Sequence, residues 1–140
     1  MSAARLAPLF RTLHWGVALT ILLNAYVLEA GDPPHKYIGY LCVALVVLRL
    51  ALSKKRTATH YNPNAIYIYG LIWLAIFGLG LTGFMMGLDR FWGNTTLEQI
   101  HGTIANVILV LVLIHLIGVF FDAYKHKRRT WMVMITGDKE

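Results

Sequence analysis

Apolar residues gather into four long runs, at about 8–30, 33–52, 63–88 and 96–124, and every break between them is short and polar. Some 20 apolar residues at ~1.5 Å rise cross the roughly 30 Å hydrocarbon layer of a bilayer, so each run is read as a membrane-spanning helix. The breaks carry start signals. Asp32-Pro33-Pro34 places an N-cap before a proline at N1, where a missing N–H costs nothing, and Asn62-Pro63 repeats the device. Thr95-Thr96-Leu97-Glu98 reads as a capping box with Thr95 as the cap and Glu98 reaching back. Gly80, Gly83 and Gly87 lie on one face of the third helix and permit close approach of a neighbour. Arg5 and Arg11 ahead of the first run raise the question of a signal peptide. That run is too long for an h-region, and Leu28-Glu29-Ala30 is a poor cleavage site, so it is expected to stay as a helix. The predicted fold is all-α: one domain, residues 1–140, forming an integral membrane four-helix bundle.

Composition agrees. Hydrophobic residues make up 57% of the chain, mean hydropathy is +0.57 and only 14% of residues are charged, against about 25% in an ordinary soluble domain. The net charge of +6 could suggest nucleic acid, but the basic residues sit in short flanks beside apolar runs, which is a membrane-orientation pattern. On one side lie Arg5, Arg11, Arg49, Lys54, Lys55, Arg56, Lys125, Lys127, Arg128, Arg129 and Lys139, and on the other only Lys36 and Arg90. Both termini are therefore expected to be cytoplasmic, with lipid as the chain's surroundings. The seven acidic residues all fall at helix ends, in loops or in the tail, so no carboxylate stands at mid-membrane for a proton relay. That argues against an ion-coupled transporter and leaves electrons as the cargo.

Four histidines carry the chemistry. His101 and His115 are fourteen residues apart on the fourth helix, which places them within about 40° on one face and roughly 21 Å apart along the axis. With the topology above, His35 begins the second helix at the outer surface, level with His101. His14 lies near the inner end of the first helix, level with His115. Two depth-matched pairs result, each drawn from two helices, as axial ligation of a haem between helices requires. For any one of them taken alone, the competing reading is an interior histidine satisfied by hydrogen bonds. Cys42 is the only cysteine and no C-x-x-C-H is present, so any haem is held by axial ligands and packing, not by thioether bonds.

Gly39 and Gly118 share helix faces with His35 and His115 and could admit a porphyrin edge. Arg49 follows His35 by fourteen residues, at the inner level. It is read either as the partner of a haem propionate or as a topology charge reaching the cytoplasmic surface. Arg11 has the same two readings, with the surface role favoured. His60 and His126, in basic flanks, are expected to be solvated. Asn24 and Asn106 are expected to bond between helices, and Trp131 and Met132 to sit at the membrane interface in a surface tail.

Arg11-Thr12-Leu13-His14-Trp15, His35-Lys36-Tyr37-Ile38-Gly39, Arg49-Leu50 and His101-Gly102-Thr103-Ile104-Ala105-Asn106 through His115-Leu116-Ile117-Gly118 together resemble the bacterial cytochrome b561 family. The ending Met134-Ile135-Thr136-Gly137-Asp138-Lys139 is similar to the b-type cytochrome subunits of nickel–iron hydrogenases. The resemblance spans nearly the whole chain. It implies two haems b with His14, His35, His101 and His115 at the axial positions, and electron exchange between quinone and a periplasmic c-type cytochrome or dehydrogenase. Some members of the family oxidise superoxide with quinone as acceptor. This chain is short between its third and fourth helices, where longer members build outer-face sites. A superoxide:quinone oxidoreductase, and a non-haem metal carrier or membrane anchor, are the competing functions.

Overall fold

The computed structural model describes residues 8–53, 63–127 and 129–137. They form four helices, α1 (Pro8–Tyr26), α2 (Pro33–Ser53), α3 (Pro63–Met86) and α4 (Thr95–His126). Short 3-10 turns follow α3 at Asp89–Phe91 and α4 at Thr130–Met134. No strand occurs among the described residues. Three helices are long and apolar enough to cross a membrane: α2 with mean hydropathy 1.7, the 65–86 stretch of α3 with 1.9, and α4 with 2.8. α1 is not among them, because its 19 residues include Arg11, Thr12, His14, Thr20 and Asn24.

Helix ends follow local chemistry. α1 stops at Tyr26, short of the end of its apolar run, where the N–H groups of Val27 and Leu28 both turn back to the Leu23 carbonyl. Gly31 then takes φ of 94°, a left-handed conformation that lets the chain reverse. Asp32 immediately precedes α2, and its backbone carbonyl accepts from the Lys36 N–H at 3.3 Å. The expected Asn62 cap of α3 lies outside the described residues. At α4 the expectation needs correction: the N-cap is Asn94, not Thr95. The Asn94 side chain accepts from the Leu97 N–H at 3.0 Å, satisfying an otherwise orphaned donor of the first turn. Lys127 closes α4 in a left-handed conformation (φ 50°).

The helices pack in series, α1 on α2, α2 on α3 and α3 on α4, with α3 and α4 the most closely joined. Neither α1 nor α2 packs extensively on α4. Mid-bundle, Cys42 and Val46 of α2, Ile76 of α3 and Ile108 of α4 form one buried cluster, with Val17 and Ile21 of α1 against it. Outside this cluster large apolar side chains such as Leu74, Leu81, Leu113, Phe120 and Phe121 are exposed around the bundle, where lipid is their natural solvent. Glycine makes the α2–α3 approach possible, since a Cβ at Gly80 would lie 2.7 Å from Val43 Cγ2.

Gly80→Leu should therefore cost about 1–3 kcal/mol by overpacking. Gly70, with nothing within 4 Å of its Cβ direction, supplies the control. In detergent, Gly80→Leu should unfold at a clearly lower temperature than Gly70→Leu. Equal transitions would show that α2 and α3 do not rely on this contact.

Candidate metal centres

The end at which α1 begins and α4 finishes is termed inner. There His14 of α1 faces His115 of α4, with ring centroids 6.3 Å apart and ring planes at 62°. At the outer end His35 of α2 faces His101 of α4, again at 6.3 Å and at 59°. All four rings are half-buried. Ile108 of the central cluster lies midway between His101 and His115 in sequence, so the apolar core separates the two pairs. Each pair spans helices that do not pack extensively on one another, and the imidazoles themselves reach across.

Two imidazoles bound on opposite sides of one metal ion have ring centres about 6 Å apart, given metal–nitrogen bonds of about 2 Å. Both pairs match that separation. Among the described residues no group of three or more His, Cys, Asp or Glu could hold a metal ion. Two facing imidazoles are too few for the tetrahedral or octahedral set a bare ion takes. They are the number required by a macrocycle that brings its own four equatorial nitrogens.

The remaining ring nitrogens are treated differently at the two ends. His101 Nδ1 lies 2.7 Å from Thr82 Oγ1, and that hydroxyl donates to the Gly78 carbonyl at 2.8 Å. With its proton so committed, the Thr82 oxygen accepts, and His101 carries its proton on Nδ1 and offers the Nε2 lone pair. Gly83 of α3 faces the same ring, where an added Cβ would lie in ordinary contact at 3.5 Å. At the inner end His14 Nδ1 lies 3.1 Å from Arg49 Nη1. A guanidinium only donates, so this nitrogen accepts and the neutral ring holds its proton on Nε2. His14 is further flanked by Trp15 (centroids 5.6 Å) and His115 by Tyr69 (5.3 Å). His35 is held through its backbone, the Asn24 amide donating to its carbonyl at 3.1 Å. Its own Nδ1 and Asn24 Oδ1 are buried without a hydrogen-bond partner.

Other candidates take varied places. Gly39 faces α1, where an added Cβ would meet Asn24 Nδ2 at 3.3 Å, while Gly118 has open space beside it. Asn24 makes the expected bond between helices, and Asn106 is exposed. His126 is exposed and pairs with Asp122 at 3.1 Å; His60 lies outside the described residues. Arg11 donates to the Ile135 carbonyl at 2.6 Å, so the tail is folded against α1 rather than lying free on the surface. Thr82 and Tyr69 were not anticipated. A lone threonine in the apolar last turns of α3 was a usable signal for Thr82, whereas Tyr69 stands among several tyrosines with nothing to single it out.

No curated protein and no solved structure matches the chain. A sequence model of the prokaryotic cytochrome b561 family matches residues 5–137, nearly the whole length. That family comprises helical membrane b-type cytochromes of electron transfer, which implies haem b. Paired imidazoles at two levels of a helical membrane bundle and this match agree: the chain belongs to the prokaryotic cytochrome b561 family.

Proposed function

We propose that the protein carries electrons across the bacterial cytoplasmic membrane through two haems b, linking the quinone pool to a redox partner at the periplasmic face. The observation that carries this reading is the pair of 6.3 Å imidazole separations, one at each end of the bundle. His35 and His101 would hold the outer group, and His14 and His115 the inner. Bound there, haem b supplies a one-electron couple at each level.

The chain's own residues then do distinct work. Thr82 fixes the tautomer and orientation of His101. Arg49 holds His14 Nδ1, so for His14 to offer Nε2 to iron the guanidinium must release that nitrogen. It then becomes available as a bidentate partner for a propionate at the same level. Gly118 leaves room beside His115 for a flat ring. The central apolar cluster keeps water out between the two levels, and the side chains facing lipid keep the whole assembly in the bilayer.

His35→Ala and His101→Ala should each remove the same haem, and His14→Ala and His115→Ala the other. Haem-to-protein ratio and redox titration of the four variants are the measurement. Four variants each retaining two haems would make the histidines structural and end the reading. Arg49→Leu should lower the potential of the inner haem on the order of 60 mV, the equivalent of one tenfold change in a one-electron equilibrium. The sign follows because removing a cation disfavours the added electron. An unchanged titration would return Arg49 to a purely topological role. Thr82→Val keeps the shape of the side chain but leaves the His101 Nδ1–H without its acceptor. Loss of such a supporting partner typically weakens metal retention about tenfold or more, measurable as faster transfer of the outer haem to apomyoglobin. An exchange rate equal to wild type would remove Thr82 from the site.

A further inference from the structure

Two asparagines stand at membrane depth, and the bundle engages only one of them. Asn24 of α1 is half-buried and donates to the His35 carbonyl at 3.1 Å. Asn106 of α4 is exposed, and its amide makes no hydrogen bond among the described residues. Asn106 lies five residues after His101 and nine before His115. It therefore sits between the two histidine levels, roughly 7.5 Å from one and 13.5 Å from the other along the axis. The same count turns it about 140° from His101 and about 180° from His115. Its amide points away from both imidazole pairs and out of the bundle, into the hydrocarbon layer.

Lipid tails offer neither donor nor acceptor, so an amide stripped of water there is unfavourable until a polar partner arrives. Between membrane helices that partner comes from a neighbouring helix. The rest of this face shows how such a helix can approach. Gly102, one turn toward the outer end, is exposed and has nothing within 4 Å of its Cβ direction. Thr103 beside it commits its hydroxyl proton to the Gln99 carbonyl of its own helix at 2.8 Å. Toward the inner end Val110, Leu113 and Ile117 continue the face, all more than half exposed. A glycine one turn from a polar side chain lets two backbones come close enough for an interhelical hydrogen bond. α3 already covers the other side of α4, through Thr82 at His101 and Gly78 at Ile104.

The chemistry favours a second copy of this chain as the neighbour. An amide is both donor and acceptor, so two asparagines across a twofold axis can bond reciprocally. Copies inserted with one topology run their α4 helices parallel and bring Asn106 to the same depth. Any other chain would have to supply its own polar group at that level. α4 carries no charged residue from position 99 to 121, so like faces meet without repulsion. We propose that the protein forms a parallel homodimer in the membrane through this face of α4, with Asn106 bonded to Asn106 of the partner subunit and Gly102 admitting the close approach. The seam lies opposite the histidines, so the dimer goes beyond the electron-transfer reading and does not rest on it.

The test is energy transfer between full-length chains labelled at the amino terminus, in phosphatidylcholine vesicles over a range of chain-to-lipid ratios. Wild type should associate, and Asn106→Leu should need about tenfold more chain per lipid for the same transfer, the weight of an interhelical polar contact in a bilayer. Gly102→Ile should weaken association similarly, while Asn106→Gln, which keeps the amide, should stay nearer to wild type than Asn106→Leu. Disulfide trapping locates the seam. Leu113→Cys, two turns inward on the same face, should give a linked dimer under mild oxidation, whereas Leu74→Cys, exposed on α3, should not. The native Cys42 is buried and stays out of the reaction. A wild type that is monomeric at every ratio would overturn the proposal. So would Asn106→Leu and Gly102→Ile variants that associate as wild type, or trapping through Leu74→Cys in place of Leu113→Cys.

Discussion

A span of fourteen residues on α4 sets both levels at which the other helices must deliver a histidine. At the helical rise this span covers roughly 21 Å, and one rigid helix therefore contributes half of each pair. α2 meets the outer level because its proline start puts His35 in the first turn. α1 runs antiparallel to α4 and meets the inner level because His14 falls early in it. Helix starts thus act as depth markers, and a shift of one turn at Pro33 would move His35 about 5 Å away from His101. Between the levels, Cys42, Val46, Ile76 and Ile108 tie α2, α3 and α4 together, so the registers of the helices are fixed by packing at mid-membrane.

The two ends are alike in ring separation and unlike in chemistry. At the outer end a neutral hydroxyl accepts from His101, and the adjacent partner His35 has a nitrogen with no protein partner. At the inner end a permanent cation donates to His14. The same two-histidine geometry is therefore embedded in two electrostatic settings. Arg49 thus binds the very nitrogen whose protonation decides the tautomer of His14.

α1 differs from its three neighbours for a related reason. Its polar residues lower its hydropathy, yet they are engaged: Arg11 and Trp15 with the tail, Asn24 with the His35 backbone, and Thr20 with the Val17 carbonyl of its own helix. A helix that meets both a second helix and the returning tail needs donors where a purely lipid-facing helix has none. The tail bonds matter because α1 and α4 do not otherwise pack extensively, so the strap closes the bundle on the side where His14 and His115 meet.

The number and type of the helices could be read from residue order alone. Long apolar runs and proline at N1 act locally or over single segments, and helical rise converts sequence spacing into distance along the bundle. For that reason the meeting of His14 with His115, and of His35 with His101, was also legible. The partners of the second ring nitrogens were not. Which hydroxyl meets His101 and which cation meets His14 depends on helix rotation, and hydropathy carries no information about rotation between neighbours. The cap of α4 moved to Asn94 because two adjacent polar residues compete and the geometry of the preceding turn selects between them. The folded tail was hidden for a like reason. Its anchors are backbone carbonyls of Met134 and Ile135, which every sequence offers everywhere, and only the three-dimensional placement of Arg11 and Trp15 decides which of them are used.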